Sequence, residues 1–414
     1  METEPWIETV RRGAWPWAWV WGPGLLVMLA DTDAGSLITA AQSGAQWGYR
    51  MVLPQVILIP ILYMVQEVTV RLGLVTREGH GEAIRRHFGR GWAFLSAGTL
   101  FLSAIGALVT EFSGVAGVGQ LFGVPPAVSV GLATLLLIAV GLSGSYRRVE
   151  RIGIAMGLFE LLFVVVAVWA RPAWGAVWQG TVFIPWSNPS YLQLLAANIG
   201  AVIMPWMIFY QQGAVVDKGL APTVDTLRQA RADTAVGSVV TQAVMVAMVV
   251  AVAATLGRTQ GHASLDTVGE IAGALEPFLG HWVGAVVFGL GMLGASLVAA
   301  LVVSVAGSWG LGEVLGFPHS LNHRVDEAPW FYAVYTAAHV AGALLVIAST
   351  NLVGLTVDVE IMNALLLPIV LGFLLALEAR ALPAHWRMRG MRRALVWGAS
   401  GLVMAFGLYT LFTL

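Results

Sequence analysis

Cysteine is absent from the 414 residues, and charge is scarce. The first absence excludes disulfide bridges and thiolate metal ligands. Only 11% of the residues are charged, against roughly 25% in soluble domains, so the chain cannot solvate itself as a globule. The net charge of −1 hides how unevenly the charges are placed and by itself says nothing about nucleic acid, and no nucleic-acid partner is expected. No small-residue cleavage site follows a short apolar core near the start, so the first 20 or so residues read as a retained cytoplasmic tail. Neither an HExxH motif nor a nucleophile–base constellation is present, which argues against an enzyme. No soluble signalling domain or cofactor motif is visible either, so a sensor is disfavoured and no cofactor is expected.

What fills the chain is apolar sequence, 58% of all residues. Runs of about 20 apolar residues, each enough to span a ~30 Å hydrocarbon core, recur along the whole length. They place spans near 23–45, 50–72, 93–121, 125–144, 152–170, 192–214, 232–256, 280–308, 330–350, 354–378 and 393–413. The expectation is an all-α integral membrane protein with about eleven transmembrane helices in one domain, 1–414. Basic residues are lopsided across the loops. Arg71, Arg77, Arg85, Arg86, Arg90, Arg147, Arg148, Arg151, Lys218, Arg228, Arg231, Arg324, Arg380, Arg387, Arg389, Arg392 and Arg393 fall on one side, whereas Arg50, Arg171 and Arg258 fall on the other. The positive-inside rule then puts the N-terminus in the cytoplasm of a cell membrane. Trp15, Trp17, Trp19, Trp21, Trp174, Trp178 and Trp386 cluster near span ends, as interfacial anchors do.

Two of the spans are interrupted. The first carries Asp31-Thr32-Asp33-Ala34-Gly35-Ser36, and the second carries Gly200-Ala201-Val202-Ile203-Met204-Pro205. A charged side chain at bilayer depth costs ~2.5–3.5 kcal/mol even on insertion scales, so it is a functional candidate by default. Paired broken helices in corresponding positions point to a transporter's binding site. The breaks open two runs of five spans, 23–170 and 192–378, which suggests two inverted five-helix repeats plus an extra helix at 393–413.

At the first break Asp33 offers a hard anionic oxygen and Ser36 a hydroxyl. At the second, Pro205 is expected to free the Ala201 carbonyl, its i−4 partner, at the level of the Met204 sulfur. Carboxylate, hydroxyl, carbonyl and thioether form a mixed hard–soft set suited to a divalent transition ion, with Met204 tilting choice toward Mn2+ or Fe2+. A methionine in an apolar helix also serves as core filler, and a proline also serves as a plain kink. Asp31 is either a second charge or an entrance group. Of the other membrane-depth acids, Glu67, Glu111, Glu160, Asp358 and Glu360, each either relays protons, attracts cations or makes a structural hydrogen bond. Asp31, Glu67, Glu111 and Glu360 stand as candidates for a proton or cation pathway. His80, His87, His262, His319, His323 and His385 read as solvated or interfacial loop residues, and His339, within a span, as a packing histidine in preference to a proton carrier.

These residues give the chain a resemblance to the NRAMP family of divalent metal transporters. Asp33-Ala34-Gly35-Ser36 is similar to the family's Asp-Pro-Gly-Asn, and Ala201-Val202-Ile203-Met204-Pro205-Trp206 to its Ala-x-x-Met-Pro-His. Gly44-Ala45-Gln46-Trp47-Gly48-Tyr49, Glu111-Phe112-Ser113-Gly114 and Tyr146-Arg147-Arg148-Val149-Glu150 match further motifs in order. The resemblance implies a LeuT-like fold, with Asp33 and Met204 as side-chain metal ligands and Ala201 as a carbonyl ligand. Ser36 would replace the motif asparagine, and Glu111 would match a helix-three glutamate that handles protons. There are departures: Ala34 for proline, Trp206 and Gln211 for histidines, Leu108 for a helix-three aspartate, and no arginine between Tyr332 and Val346.

The expected function is a secondary transporter carrying divalent metal, Mn2+ or Fe2+-like, into the cytoplasm by alternating access. The departures argue against proton coupling, although protons stay on the list of partners beside the metal ion and the lipid bilayer. The alternatives are an uncoupled NRAMP-related Mg2+ transporter and an organic-solute carrier, such as one for amino acids, of the same fold.

Overall fold

Proline starts many of the helices, because its fixed φ suits the first helical turn, where its missing N–H costs nothing. In the computed structural model, which describes residues 21–256, 265–349 and 351–413, the first helix α1 (Pro23–Asp31) begins on one, and α2 (Ala34–Trp47) follows it directly. A tight 3-10 turn, Gly48–Met51, leads into α3 (Val52–Thr76) and the short amphipathic α4 (His80–Phe88). Next come α5 (Arg90–Leu121) and α6 (Pro126–Gly141). The following span is α7 (Tyr146–Gly157) and α8 (Leu162–Trp169), joined by a 3-10 turn at Leu158–Leu161. After α9 (Trp174–Val182), the second broken span is α10 (Pro189–Val202) and α11 (Pro205–Asp217). The chain closes with α12 (Val224–Thr255), α13 (Val268–Leu279), α14 (His281–Leu315), α15 (Pro329–Ile347), α16 (Leu352–Arg380) and α17 (Gly390–Thr413). Trp15, Trp17, Trp19, Arg258 and His262, with the expected cytoplasmic tail, lie outside the described residues.

Among the described residues, nine helical stretches are long and apolar enough to cross a membrane. Eleven were expected. The difference lies in α6, which is 16 residues long, and in the 34–76 stretch, which runs two spans together across the turn at Gly48–Met51. The break at 32–33 leaves α1 too short to be recognised alone.

The ends of the bundle are tied by charge. Asp233 of α12 accepts from the backbone N–H groups of Gly22, Gly24 and Leu25 at 3.1, 2.7 and 3.1 Å, which caps α1 where its own Gly22 has no side chain. Lys218 donates to the Trp21 carbonyl at 2.7 Å and pairs with Glu150 at 2.8 Å. Glu67 corrects an expectation. Its Oε1 takes Arg71, Arg231 and Arg392 at 2.8, 2.8 and 2.6 Å, which ties α3, α12 and α17 together. Three guanidinium groups already neutralise it, so it is a structural anchor apart from the breaks. The residues that meet here come from loops assigned to one side by their charge.

His80 is a second correction. The polar stretch around it folds as α4 and packs its ring into the protein, fully buried rather than solvated. Its Nδ1 lies 2.9 Å from Gln212 Oε1, and the ring meets Phe209 edge-on. Burial pushes the imidazole down to about 4, partly offset by the Gln212 bond. In the unfolded chain it titrates near 6.5. Between those values only the unfolded chain takes up the proton, so stability falls as pH drops. This group should account for up to ~3 kcal/mol lost between pH 6.5 and 4. Thermal midpoints of the purified protein across that range should decline less steeply for His80→Asn than for the wild type. Parallel slopes would contradict the assignment.

Candidate metal site

The sequence Asp31-Thr32-Asp33 stops one helix and starts the next. Thr32 closes α1, its N–H reaching the Leu29 carbonyl at 3.2 Å. Asp33 then takes an extended backbone and caps α2, its Oδ1 accepting from Ser36 N–H at 2.6 Å. The second break has a different cause from the one expected. Pro205 does not sit inside a helix and disrupt the turn before it; it is the first residue of α11. The residue before a proline is pushed to extended backbone, and Met204 has φ −90° and ψ 141°. Helix α10 has by then ended at Val202.

Ser36 brings the two breaks together. Its Oγ lies 2.8 Å from the Asp31 carbonyl and 2.9 Å from the Ala201 carbonyl. A hydroxyl has one proton to donate, so one of these close oxygen pairs has no hydrogen between its atoms. Two carbonyls, one hydroxyl and the Asp33 carboxylate therefore converge with a deficit of donors, which is what a cation relieves. Asp33 Oδ2 has no hydrogen-bond partner, and Asp33, Ser36, Ala201 and Met204 are all fully buried. Met204 follows three residues after Ala201 in the same break. Its Sδ accepts from Trp206 Nε1 at 3.0 Å, so the tryptophan found in place of the motif histidine orients the sulfur. The structure joins Asp33, Ser36 and Ala201 through hydrogen bonds, whereas the Met204 sulfur is bonded to Trp206.

Further carboxylates close in from other helices. Glu111 of α5 accepts from Ala34 N–H at 3.1 Å and from the Thr110 hydroxyl at 3.1 Å, and its carboxyl faces Asp33. Glu360 of α16 touches both breaks. A Cβ on Gly200 would overlap the Glu360 backbone carbonyl, so close approach requires glycine there, whereas a Cβ on Gly35 would meet the movable Glu360 Oε1. Glu360 Oε2 accepts from Asn363 at 3.0 Å, and its Oε1 has no partner. Asp31 ends α1 beside the Thr241 hydroxyl of α12. Of the four pathway candidates, Asp31, Glu111 and Glu360 are thus gathered at the breaks and Glu67 is not. Asp358 is exposed. His339 packs as expected, with Nδ1 2.9 Å from the Tyr335 carbonyl and Nε2 3.3 Å from the Ser304 hydroxyl. Among the described residues, no three or more His, Cys, Asp or Glu form a metal-holding group, so any ion here needs the neutral oxygens and the sulfur as well.

Sequence reasoning passed over two residues of this region. Glu160, set aside among the lesser acids, lies in the 3-10 turn Leu158–Leu161, buried and within the electrostatic reach of Asp31 and Asp33. The acid at membrane depth was its signal. Thr241 gave none, because a lone threonine in an apolar span is unremarkable.

The family profile described as natural resistance-associated macrophage protein-like matches residues 24–413. A curated relative from Brucella suis, named divalent metal cation transporter MntH, is 26% identical over 301 residues, covering 69% of this chain and 65% of that protein. The chain thus aligns with just under two thirds of that relative's length. Among solved structures, a manganese transporter of Eremococcus coleocola superposes with a TM-score of 0.76 at 18% identity, covering 95% of this chain and 86% of that one. A Na+-coupled sialic acid symporter superposes with a TM-score of 0.64 at 14% identity, covering 95% and 88%. These likenesses establish a LeuT-like fold.

Ser36→Ala should cost about 1–3 kcal/mol, the price of leaving buried carbonyls without their donor. The thermal midpoint of the purified protein in detergent reads this directly. A variant as stable as the wild type would show that the two breaks hold together without that hydroxyl.

Proposed function

Because the chain belongs to the Nramp family, with residues 24–413 matched, and is a multi-pass membrane protein, we propose that it is a secondary transporter of divalent metal ions. Transition-metal ions of the Mn2+ and Fe2+ type are the substrates this reading assigns. One observation carries it: the Ser36 hydroxyl sits between the Asp31 and Ala201 carbonyls, with a partnerless Asp33 oxygen on the same helix start. Asp33, Ser36, Ala201 and Met204 are the proposed ligands. The oxygens supply charge and the thioether supplies preference for a softer ion over Mg2+ or Ca2+.

Support for alternating access comes from where the proposed ligands sit. Asp33 and Ser36 start α2, and Ala201 and Met204 flank the break between α10 and α11, so a shift of one broken span against the other opens or closes the cradle. With all four buried, the described conformation is an occluded one. The proposed direction is inward, toward the side that carries the arginine-rich loops. The two runs of five spans are the proposed repeats that move.

Proton coupling through the family's usual route is not part of this proposal. Leu108 stands where the helix-three aspartate would be and packs against Gly342 of α15, which gives an apolar contact between α5 and α15. An organic-anion carrier of this fold would hold its substrate's carboxylate at a half-helix N-terminus. Here the start of α2 is already taken by Asp33 and Glu111. The Mg2+ alternative draws support from Glu360, whose free oxygen adds a hard ligand beside Gly35.

Metal uptake into proteoliposomes tests this reading. Changes to outer-shell partners alone cost about 10–100-fold in metal affinity or activity, so Asp33→Ala should lower Mn2+ uptake at least that much. Met204→Ala should lower Mn2+ uptake and raise the ability of Mg2+ to compete. Unchanged Mn2+ uptake in both variants would remove the proposed site. Mg2+ outcompeting Mn2+ in the wild type would select the Mg2+ reading.

A further inference from the structure

Asp31, Thr32, Glu160 and Thr241 lie together at the first break, beside the four proposed metal ligands. They come from three elements: the end of α1, the 3-10 turn between α7 and α8, and α12. The Thr32 and Thr241 hydroxyls are 2.5 Å apart, and the Thr241 hydroxyl lies 3.4 Å from Asp31 Oδ2. Glu160 is fully buried beside the Thr32 hydroxyl, and neither of its oxygens has a partner in hydrogen-bond geometry. Asp31 Oδ1, also buried, has none either. Among the described residues, no lysine, arginine or histidine pairs with either carboxylate.

Buried carboxylates without partners are costly, and at membrane depth they persist only when something compensates them. A proton on one carboxyl cancels one charge and supplies one O–H donor, which serves at most one of the other orphaned oxygens. An ion that touches several oxygens at once satisfies them together. The donor set here is two carboxylates and two hydroxyls with no sulfur or nitrogen, which selects a hard cation. The divalent ion proposed at Asp33 is close enough to repel a second doubly charged one, since Asp33 acts electrostatically on both Asp31 and Glu160. A small singly charged ion fits that constraint better.

We propose that Asp31, Glu160, Thr32 and Thr241 form a second cation site, for Na+, adjoining the divalent-metal site. The proposal rests on the reading of Asp33 as a metal ligand only for its preference of Na+ over a second divalent ion. Na+ bound there neutralises Asp31 at the end of α1, so it holds the first break in the geometry that presents Asp33 and the Asp31 carbonyl to the substrate. Sodium and metal binding are then linked, each favouring the other.

Equilibrium binding of radiolabelled Na+ to the purified full-length protein, in a choline buffer with and without Mn2+, tests the site. The wild type should show saturable Na+ binding that Mn2+ does not displace. Glu160→Gln should weaken it at least about tenfold, a loss of roughly 1.4 kcal/mol, while direct Mn2+ binding persists. Asp33→Ala should lose Mn2+ binding and retain Na+. Should Glu160→Gln not elute as a monodisperse protein, Thr241→Val serves in its place with the same expectation. No saturable Na+ binding in the wild type, full binding in both site variants, or displacement of Na+ by Mn2+ would each overturn the second site. Loss of Na+ in Asp33→Ala with none in Glu160→Gln would overturn it too, by moving Na+ to the metal site. Intact Na+ binding beside absent Mn2+ binding would instead overturn the divalent-metal reading and leave this one standing.

Discussion

Ser36 Oγ has one proton and two carbonyls within reach, Asp31 at 2.8 Å and Ala201 at 2.9 Å. The constraint behind this is that unwound backbone at membrane depth must be buried in protein or line a cavity. Two helices are interrupted here, and their loose ends meet each other. The first break would otherwise leave the end of α1 and the start of α2 unserved, so Asp33 and Glu111 bind the freed N–H groups of Ser36 and Ala34. The carbonyls find only one shared hydroxyl. On the proposed reading, that oxygen-rich geometry with too few hydrogens is the cradle for a cation, and the rest of the fold maintains it.

The maintenance comes from outside the breaks. Glu360 on α16 lies against Gly35 and Gly200 at once; a side chain at Gly200 would push α16 off the second break, and one at Gly35 would displace the Glu360 carboxylate. Asp233 holds the start of α1, and Glu67 gathers three arginines from α3, α12 and the start of α17. A buried ion pair is weak evidence for stability taken alone, because desolvation offsets much of the attraction. Its value here is positional: it fixes three helices at one end, apart from the breaks.

Much of this was legible in the sequence where the signal was local. Apolar length placed a helix along each expected stretch, although nine rather than eleven stretches among the described residues are long and apolar enough to cross a membrane, and Asp31-Thr32-Asp33 with Gly35 marked the first break because a carboxylate at lipid depth is costly. What the chain does not write locally is which distant groups meet. Glu67 looked like its fellow membrane acids until Arg231 and Arg392 arrived from 164 and 325 positions away. Glu360 and Glu160 differ little by sequence, yet one bridges both breaks and the other sits beside Asp31 and Thr32. His80 was read as solvated or interfacial because it falls in a connection between expected spans. Amphipathic α4 instead turns that ring inward, a choice made by tertiary packing. Pro205 was placed in the right break for the wrong reason, since a proline can begin a helix as readily as disrupt one.

The central claim is that a carboxylate, a backbone carbonyl, a hydroxyl and a thioether act on one ion between two broken helices. An anomalous-scattering map of the protein crystallised with Mn2+ examines it most directly. The account predicts one strong peak bounded by the Asp33 carboxylate, the Ala201 carbonyl and the Met204 sulfur. A well-ordered Mn2+ peak elsewhere, with that position empty, would contradict it.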